Sequence, residues 1–222
     1  MTQTTHRHTA HQIKTAVADE LSWTATVNAD QIGVSVNDGV VTLSGEVDSY
    51  PERTAAVAAA LRVTGVTSVA DEITVRSPGE RDDIGIATHA QRALDTTISV
   101  PHTVRAAVHD HHVTLTGTVP WNYQRNVVRR LMAEIPGVRS VRNDIAVVPH
   151  LPFAAKTAEQ NIKAAFVRNA QLDAERIHVT TTGTEIELNG TARTWAERQE
   201  ATDVAWNTPG VTKVHNNIHV VP

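Results

Sequence analysis

A glycine set among alternating apolar residues recurs three times in this chain, at Gly45, Gly117 and Gly190, with offsets of 72 and 73 residues. The surroundings recur with it: Val41-Thr42-Leu43-Ser44-Gly45-Glu46-Val47, Val113-Thr114-Leu115-Thr116-Gly117-Thr118-Val119, and Ile186-Glu187-Leu188-Asn189-Gly190-Thr191-Ala192. A second marker lies 20 residues further on in every copy, as Gly65-Val66, Gly137-Val138 and Gly210-Val211. Two markers that keep one spacing three times make the 222 residues one unit written in triplicate. A period near 72 is too long for a solenoid repeat and long enough for a small domain.

A unit of that size buries only about 60% of its unfolded surface, so packing of one copy against the next is expected to add stability. Aromatic residues are 4% of the chain, which leaves the cores to Ala, Val, Ile and Leu. With no cysteine, disulfides and thiolate metal sites are excluded. The net charge of −4 argues against nucleic acid as a partner, because phosphate affinity comes largely from Lys and Arg. The middle copy, residues 79–150, is the least acidic, with eight Lys or Arg against seven Asp or Glu. The N-terminal residues lack the apolar stretch of a secretory signal, and the weakly apolar run Thr54–Leu61 is far too short to span a bilayer. The expectation is a cytoplasmic protein with no transmembrane segment.

Alignment on the glycines tests each periodicity three times. Ile13, Val17 and Leu21 lie four apart, as do Ile86, Ala90 and Leu94, and Ala158, Ile162 and Phe166, which predicts a first helix with one apolar stripe. Ile32, Val34 and Val36 alternate, then Asp38-Gly39 leads into Val41 and Leu43, the signature of a β-hairpin. A second helix follows, with inward positions Ala56, Ala59, Ala60 and Val63, then Val128, Leu131, Met132 and Ile135, then Ala201, Val204, Ala205 and Thr208. Ser49-x-x-Glu52 and Thr194-x-x-Glu197 mark its start as capping boxes, whereas Trp121 takes the cap position in the middle copy and only Gln124 is kept. Its end is expected at Gly65, Gly137 and Gly210. Val69, Ile73 and Val75, with their counterparts Val141, Ile145, Val147 and Val214, Ile218, Val220, form a last strand. The crossover helix makes that strand parallel to the one before it. The fold class is α+β: three tandem two-layer sandwiches, each α-β-β-α-β, with a three-stranded mixed sheet covered by two helices.

This order, the hydrophobic-x-Leu-x-Gly ending of the middle strand, and the Gly-Val before a strand carrying Asp71, Asn143 or Asn216 two residues ahead of an isoleucine resemble the BON domain family, named for osmotically inducible and nodulation proteins of bacteria. The resemblance covers residues 7–77, 80–149 and 152–222. It implies a non-catalytic module, often in tandem, associated with anionic phospholipid, envelope integrity and stress responses, osmotic stress among them. Cytosolic relatives that pair such a domain with a second module sense potassium, and a potassium- or osmolyte-responsive protein is the alternative, with a holdase-like scaffold as a third reading.

The middle copy departs most from its neighbours at Pro120-Trp121-Asn122-Tyr123, which is followed by the arginines Arg125, Arg129 and Arg130, with Arg139 and Arg142 beyond. Aromatic rings beside outward cations suit an interfacial contact with anionic phospholipid or with a protein partner. The competing reading packs Trp121 and Tyr123 into a boundary between copies, as the aromatics Tyr50 and Trp195 at the neighbouring position suggest. The histidines His6, His8 and His11, and the hairpin-tip group His109, His111 and His112, are weak metal candidates beside plain solvation. His215 and His219 fall in a strand and read as solvent-facing neighbours. No nucleophile elbow, phosphate loop or zincin motif occurs, and Glu52 and Glu197 read as caps, so no enzyme, catalytic residue or cofactor is expected.

Overall fold

A computed structural model of the protein describes residues 9–76, 82–150, 155–169 and 172–221. The first unit runs α1 (Ala10–Trp23), β1 (Ile32–Asn37), β2 (Val40–Val47), α2 (Tyr50–Arg62) and β3 (Ser68–Val75). The second runs α3 (Asp83–Thr96), β4 (Arg105–His109), β5 (His112–Thr116), β6 (Thr118–Val119), α4 (Asn122–Ala133), β7 (Ser140–Asn143) and β8 (Ala146–Val147). The third runs α5 (Ala155–Arg168), β9 (Ile177–Thr182), β10 (Glu185–Ala192), α6 (Trp195–Trp206) and β11 (Lys213–Val220).

Each hairpin is antiparallel and each strand after the crossover helix is parallel, with sheet orders β1-β2-β3 and β9-β10-β11 in the outer units. The middle sheet is β4-β5-β7 with β6 and β8 as a short parallel continuation. Backbone bonds from Asp144 N to Leu115 O and from Ala146 N to Gly117 O carry the ladder across that break. Both helices of a unit cover one sheet face, and each unit encloses its own apolar cluster. Ile13, Val17 and Leu21 of α1, and Ile86, Ala90 and Leu94 of α3, are buried where the four-residue spacing puts them.

The marker glycine has a steric cause. Gly45, Gly117 and Gly190 hold φ of +131°, +119° and +130°, a region that L side chains rarely adopt. A Cβ there would be driven into the carbonyl oxygen of Gln31, Thr103 or Arg176, whose carbonyl carbons would lie 3.2, 2.9 and 3.1 Å away. The incoming edge strand begins against bare backbone, so the repeat preserves a point of close approach.

One boundary differs from expectation. The crossover helices end at Arg62, Ala133 and Trp206, ahead of Gly65, Gly137 and Gly210. Those glycines have φ of +93°, +96° and +85°, but they shape the turn that launches the last strand. The cap nitrogens of Val63, Glu134 and Asn207 already close the final helical turn on Ala60 O, Arg130 O and Asp203 O.

The units are not strung out in a row. Helix α6 lies against α2 of the first unit, and the Trp195 indole N–H there donates to Thr67 O at 3.0 Å. At the other end of α6, Trp206 packs against the second unit's core as well as its own. The third unit therefore touches both of the others through opposite ends of one helix.

Candidate functional site

The start of the crossover helix is built one way in the outer units and another in the middle one. Ser49 Oγ and Thr194 Oγ1 accept from the N–H of Glu52 and Glu197 at 3.3 and 3.1 Å. The carboxylates in turn hold loop backbone: Glu52 accepts from Asn28 N and Asp48 N, and Glu197 from Asp173 N and Arg193 N at 2.9 and 2.7 Å. With both oxygens engaged by backbone, these two groups are braces. In the middle unit the preceding loop turns a carbonyl inward instead, and Gln124 Nε2 donates to Ser99 O at 2.7 Å while its Oε1 accepts from Trp121 N at 3.1 Å. An amide serves both ends where a carboxylate would meet a carbonyl oxygen.

Since the Trp121 side chain makes no cap bond, its ring is free of the helix end, and it is 38% exposed. Tyr123, one residue into α4, is 57% exposed. Ser99 is tethered to Gln124, which brings the fully exposed Ile98 to the same end of the unit. Val148 N bonds to Val119 O, just before Pro120, and places a further exposed apolar side chain there. The equivalent positions of the first unit are Thr26, Ser49, Pro51 and Arg76. Ile98 and Val148 had no signature in the sequence, because a single apolar residue in a loop is not periodic with anything.

The arginines divide. Arg129 and Arg130 are exposed, and neither forms an ion pair among the described residues. Arg130 follows Tyr123 by two helical turns on one face, about 10 Å along the axis. Arg125 turns the other way, with its guanidinium over the Trp206 ring of the third unit, 5.1 Å from the centroid. Loss of water there, and then the charge of Arg129, hold it below the usual arginine value. The equivalent Arg53 pairs with Asp71 at 2.9 Å, and Arg198 stacks on Trp195 at 4.7 Å. Arg139 is half-buried, and Arg142 pairs with Asp144 at 2.8 Å.

The side chains at Asp71, Asn143 and Asn216 have a structural task. Each accepts from the N–H two residues on, at 3.2, 3.2 and 3.0 Å, and each ties the last strand to the crossover helix. Asn143 and Asn216 do so by donating to Arg125 O and Arg198 O, Asp71 through its ion pair with Arg53.

The histidine group at the middle hairpin is not gathered into one site. His111 Nδ1 lies 3.1 Å from Gly137 O and His112 Nδ1 2.5 Å from Ser140 Oγ, so two rings are engaged across the sheet. Only His109 points away, and its neighbours are Asp110 and Asp83. His215 lies in β11 as expected and meets Glu185 Oε2 at 2.7 Å, while His219 is exposed. His6 and His8 lie outside the described residues.

The BON domain profile matches the chain three times, at residues 9–77, 82–149 and 154–222. Osmotically-inducible protein Y of Escherichia coli strain K12 is 32% identical over 142 residues, 60% of this chain and 68% of that protein. Among solved structures, the C-terminal domain of CdsD, a structural protein of the type III secretion system of Chlamydia trachomatis, aligns over 94% of this chain and 96% of its own, at 13% identity and a TM-score of 0.27. The PrgH periplasmic domain aligns over 86% and 96%, at 12% identity and a TM-score of 0.23. Scores that low carry no argument about unit arrangement or function.

Proposed function

The chain belongs to the BON domain family in all three of its units, and from that premise we propose a non-catalytic, stress-related binding protein that docks on anionic phospholipid through the exposed end of its second unit. Its domains are taken as residues 7–77, 80–149 and 152–222. The observation that carries the reading is the gathering of Ile98, Trp121, Tyr123 and Val148 at one end, with Arg129 and Arg130 exposed on the helix that starts there. Rings at headgroup depth and cations at the phosphates are what a peripheral contact needs. Each arginine near an anionic surface contributes about 1 kcal/mol, so the pair supplies about 2 kcal/mol and the apolar side chains the rest. Binding of this kind is reversible and weakens with salt. It requires no span, and no described helix is long and apolar enough to cross a membrane. The similarity to an osmotically inducible protein supports a role under osmotic stress.

Cosedimentation of the full chain with phosphatidylglycerol-containing and with purely phosphatidylcholine vesicles, over a salt series, tests the reading. Selective binding to the anionic vesicles, weakened by salt, by Trp121→Ala with Tyr123→Ala, and by Arg129→Glu with Arg130→Glu, is expected. Equal and negligible binding to both vesicles removes the membrane, leaving a protein partner for the same surface.

A further inference from the structure

We propose that the hairpin tip of the second unit binds a divalent transition-metal ion of the zinc class through Asp83, His109 and Asp110. One ligand atom from each residue lies within 4.8 Å of the other two. Asp83 opens α3, whereas His109 ends β4 and Asp110 occupies the turn, so two elements distant in sequence converge on the point. A tetrahedral ion with bonds of about 2.0–2.1 Å needs its ligand atoms about 3.4 Å apart. The shortfall is under about 1.5 Å, and the mobile members can close it. The side chains of His109 and Asp110 are 91% and 78% exposed and rotate without repacking anything.

Asp83 is the fixed member. Its two oxygens accept from the backbone N–H of Asp110 and His111, both at 2.9 Å. A carboxylate oxygen with one such bond keeps a lone pair for a metal, and ligands oriented by outer hydrogen bonds bind with less reorganisation. Neither Asp83 nor Asp110 has a Lys or Arg partner among the described residues, and the His109 ring at 3.4 Å is the ion-pair neighbour of Asp110. The two carboxylates thus place uncompensated negative charge beside an imidazole nitrogen. One nitrogen and two oxygens, with no thiolate, suit Zn²⁺ or Ni²⁺ better than Mg²⁺ or Ca²⁺, which prefer oxygen alone. An open fourth position falls to water.

The site belongs to this unit alone. The equivalent residues are His11, Asn37 and Asp38 in the first unit and Lys156, Thr182 and Gly183 in the third. It is separate from the docking surface, so it stands or falls apart from that reading.

The test uses the untagged full chain carrying His6→Ala, His8→Ala and His11→Ala, which removes the N-terminal histidines as competing ligands. Calorimetric titration with Zn²⁺ should show one saturable site per chain, weakened about tenfold or more by His109→Ala and by Asp110→Asn. Both changes are at exposed side chains, and an unchanged melting temperature without metal confirms folding. Ni²⁺ should broaden the amide resonances of Val108–His112 and of Asp83 first. The proposal is overturned by the absence of saturable binding, by binding that both variants leave intact, or by broadening centred elsewhere.

Discussion

Two glycines in the third unit allow one substitution to be read in two environments. Gly190 sits in β10 with φ of +130°, and an added Cβ would collide with Arg176 O, with Ile177 Cα at 3.3 Å. Gly183 sits in the hairpin turn with φ of +60° and nothing within 4 Å of an added Cβ. For Gly190→Ala the glycine-only backbone region costs about 1–3 kcal/mol. Displacing the facing strand in a packed sheet costs about 1–3 kcal/mol more. The total centres near 4 kcal/mol, against a stability of about 3.5–10 kcal/mol for a unit of this length. At about 4–8 °C per kcal/mol, the third unit should lose about 15–30 °C of melting temperature. Gly183→Ala pays the left-handed penalty of about 1–2 kcal/mol, partly offset by a less disordered unfolded chain, and should cost about 1 kcal/mol or less. Urea titration with amide hydrogen exchange of β9–β11 measures both variants. Similar destabilisation by the two would refute close approach as the cause of the repeated glycine.

Gln124→Glu should destabilise the second unit by about 1–3 kcal/mol at neutral pH, since it sets a carboxylate against Ser99 O, and urea titration should show recovery on acidification. Trp206→Ala should cost about 2 kcal/mol and separate the calorimetric transitions of the second and third units, which share that ring. The His111 and Asp110 N–H bonds hold the Asp83 carboxyl below the usual carboxylate range, and the His215 hydrogen bond does the same for Glu185. A depressed carboxylate contributes stability that is whole above its unfolded pKa, about 4, and lost as pH falls through the lower folded value. The urea midpoint should therefore drop on acidification below about pH 4, and His215→Ala should shallow that drop. Burial pushes Asp203 up, so its own contribution runs the opposite way and grows on acidification.

Much of each unit was legible in the residues because its causes are local. The four-residue spacing of Ile86, Ala90 and Leu94 fixes which face of α3 is buried, whatever the neighbouring units do. The hairpin turn is local too: Asp38 and Gly39 take φ of 48° and 80°, and Asp110 and His111 take 48° and 66° at the same positions. The candidate surface was legible in part. Trp121, Tyr123, Arg129 and Arg130 stand out by departing from their counterparts, and the structure exposes all four. Arg125 lies on the same helix but repeats Arg53 and Arg198 of the other copies, and its ring partner lies 81 residues away in another unit.

The sequence by itself determined the triplicate unit, its α-β-β-α-β order and its buried faces, since periodicity records which side of an element avoids water. Only the tertiary structure decided which outward residues meet: Trp195 with Thr67, Trp206 with Arg125, and Asp83 with His109 and Asp110. Such meetings depend on how rigid elements and whole units are set against one another, and no spacing along the chain encodes that placement. The same holds for Ile98 and Val148, which become part of a surface only because backbone and side-chain bonds to Ser99 and Val119 carry them to the end where Trp121 stands.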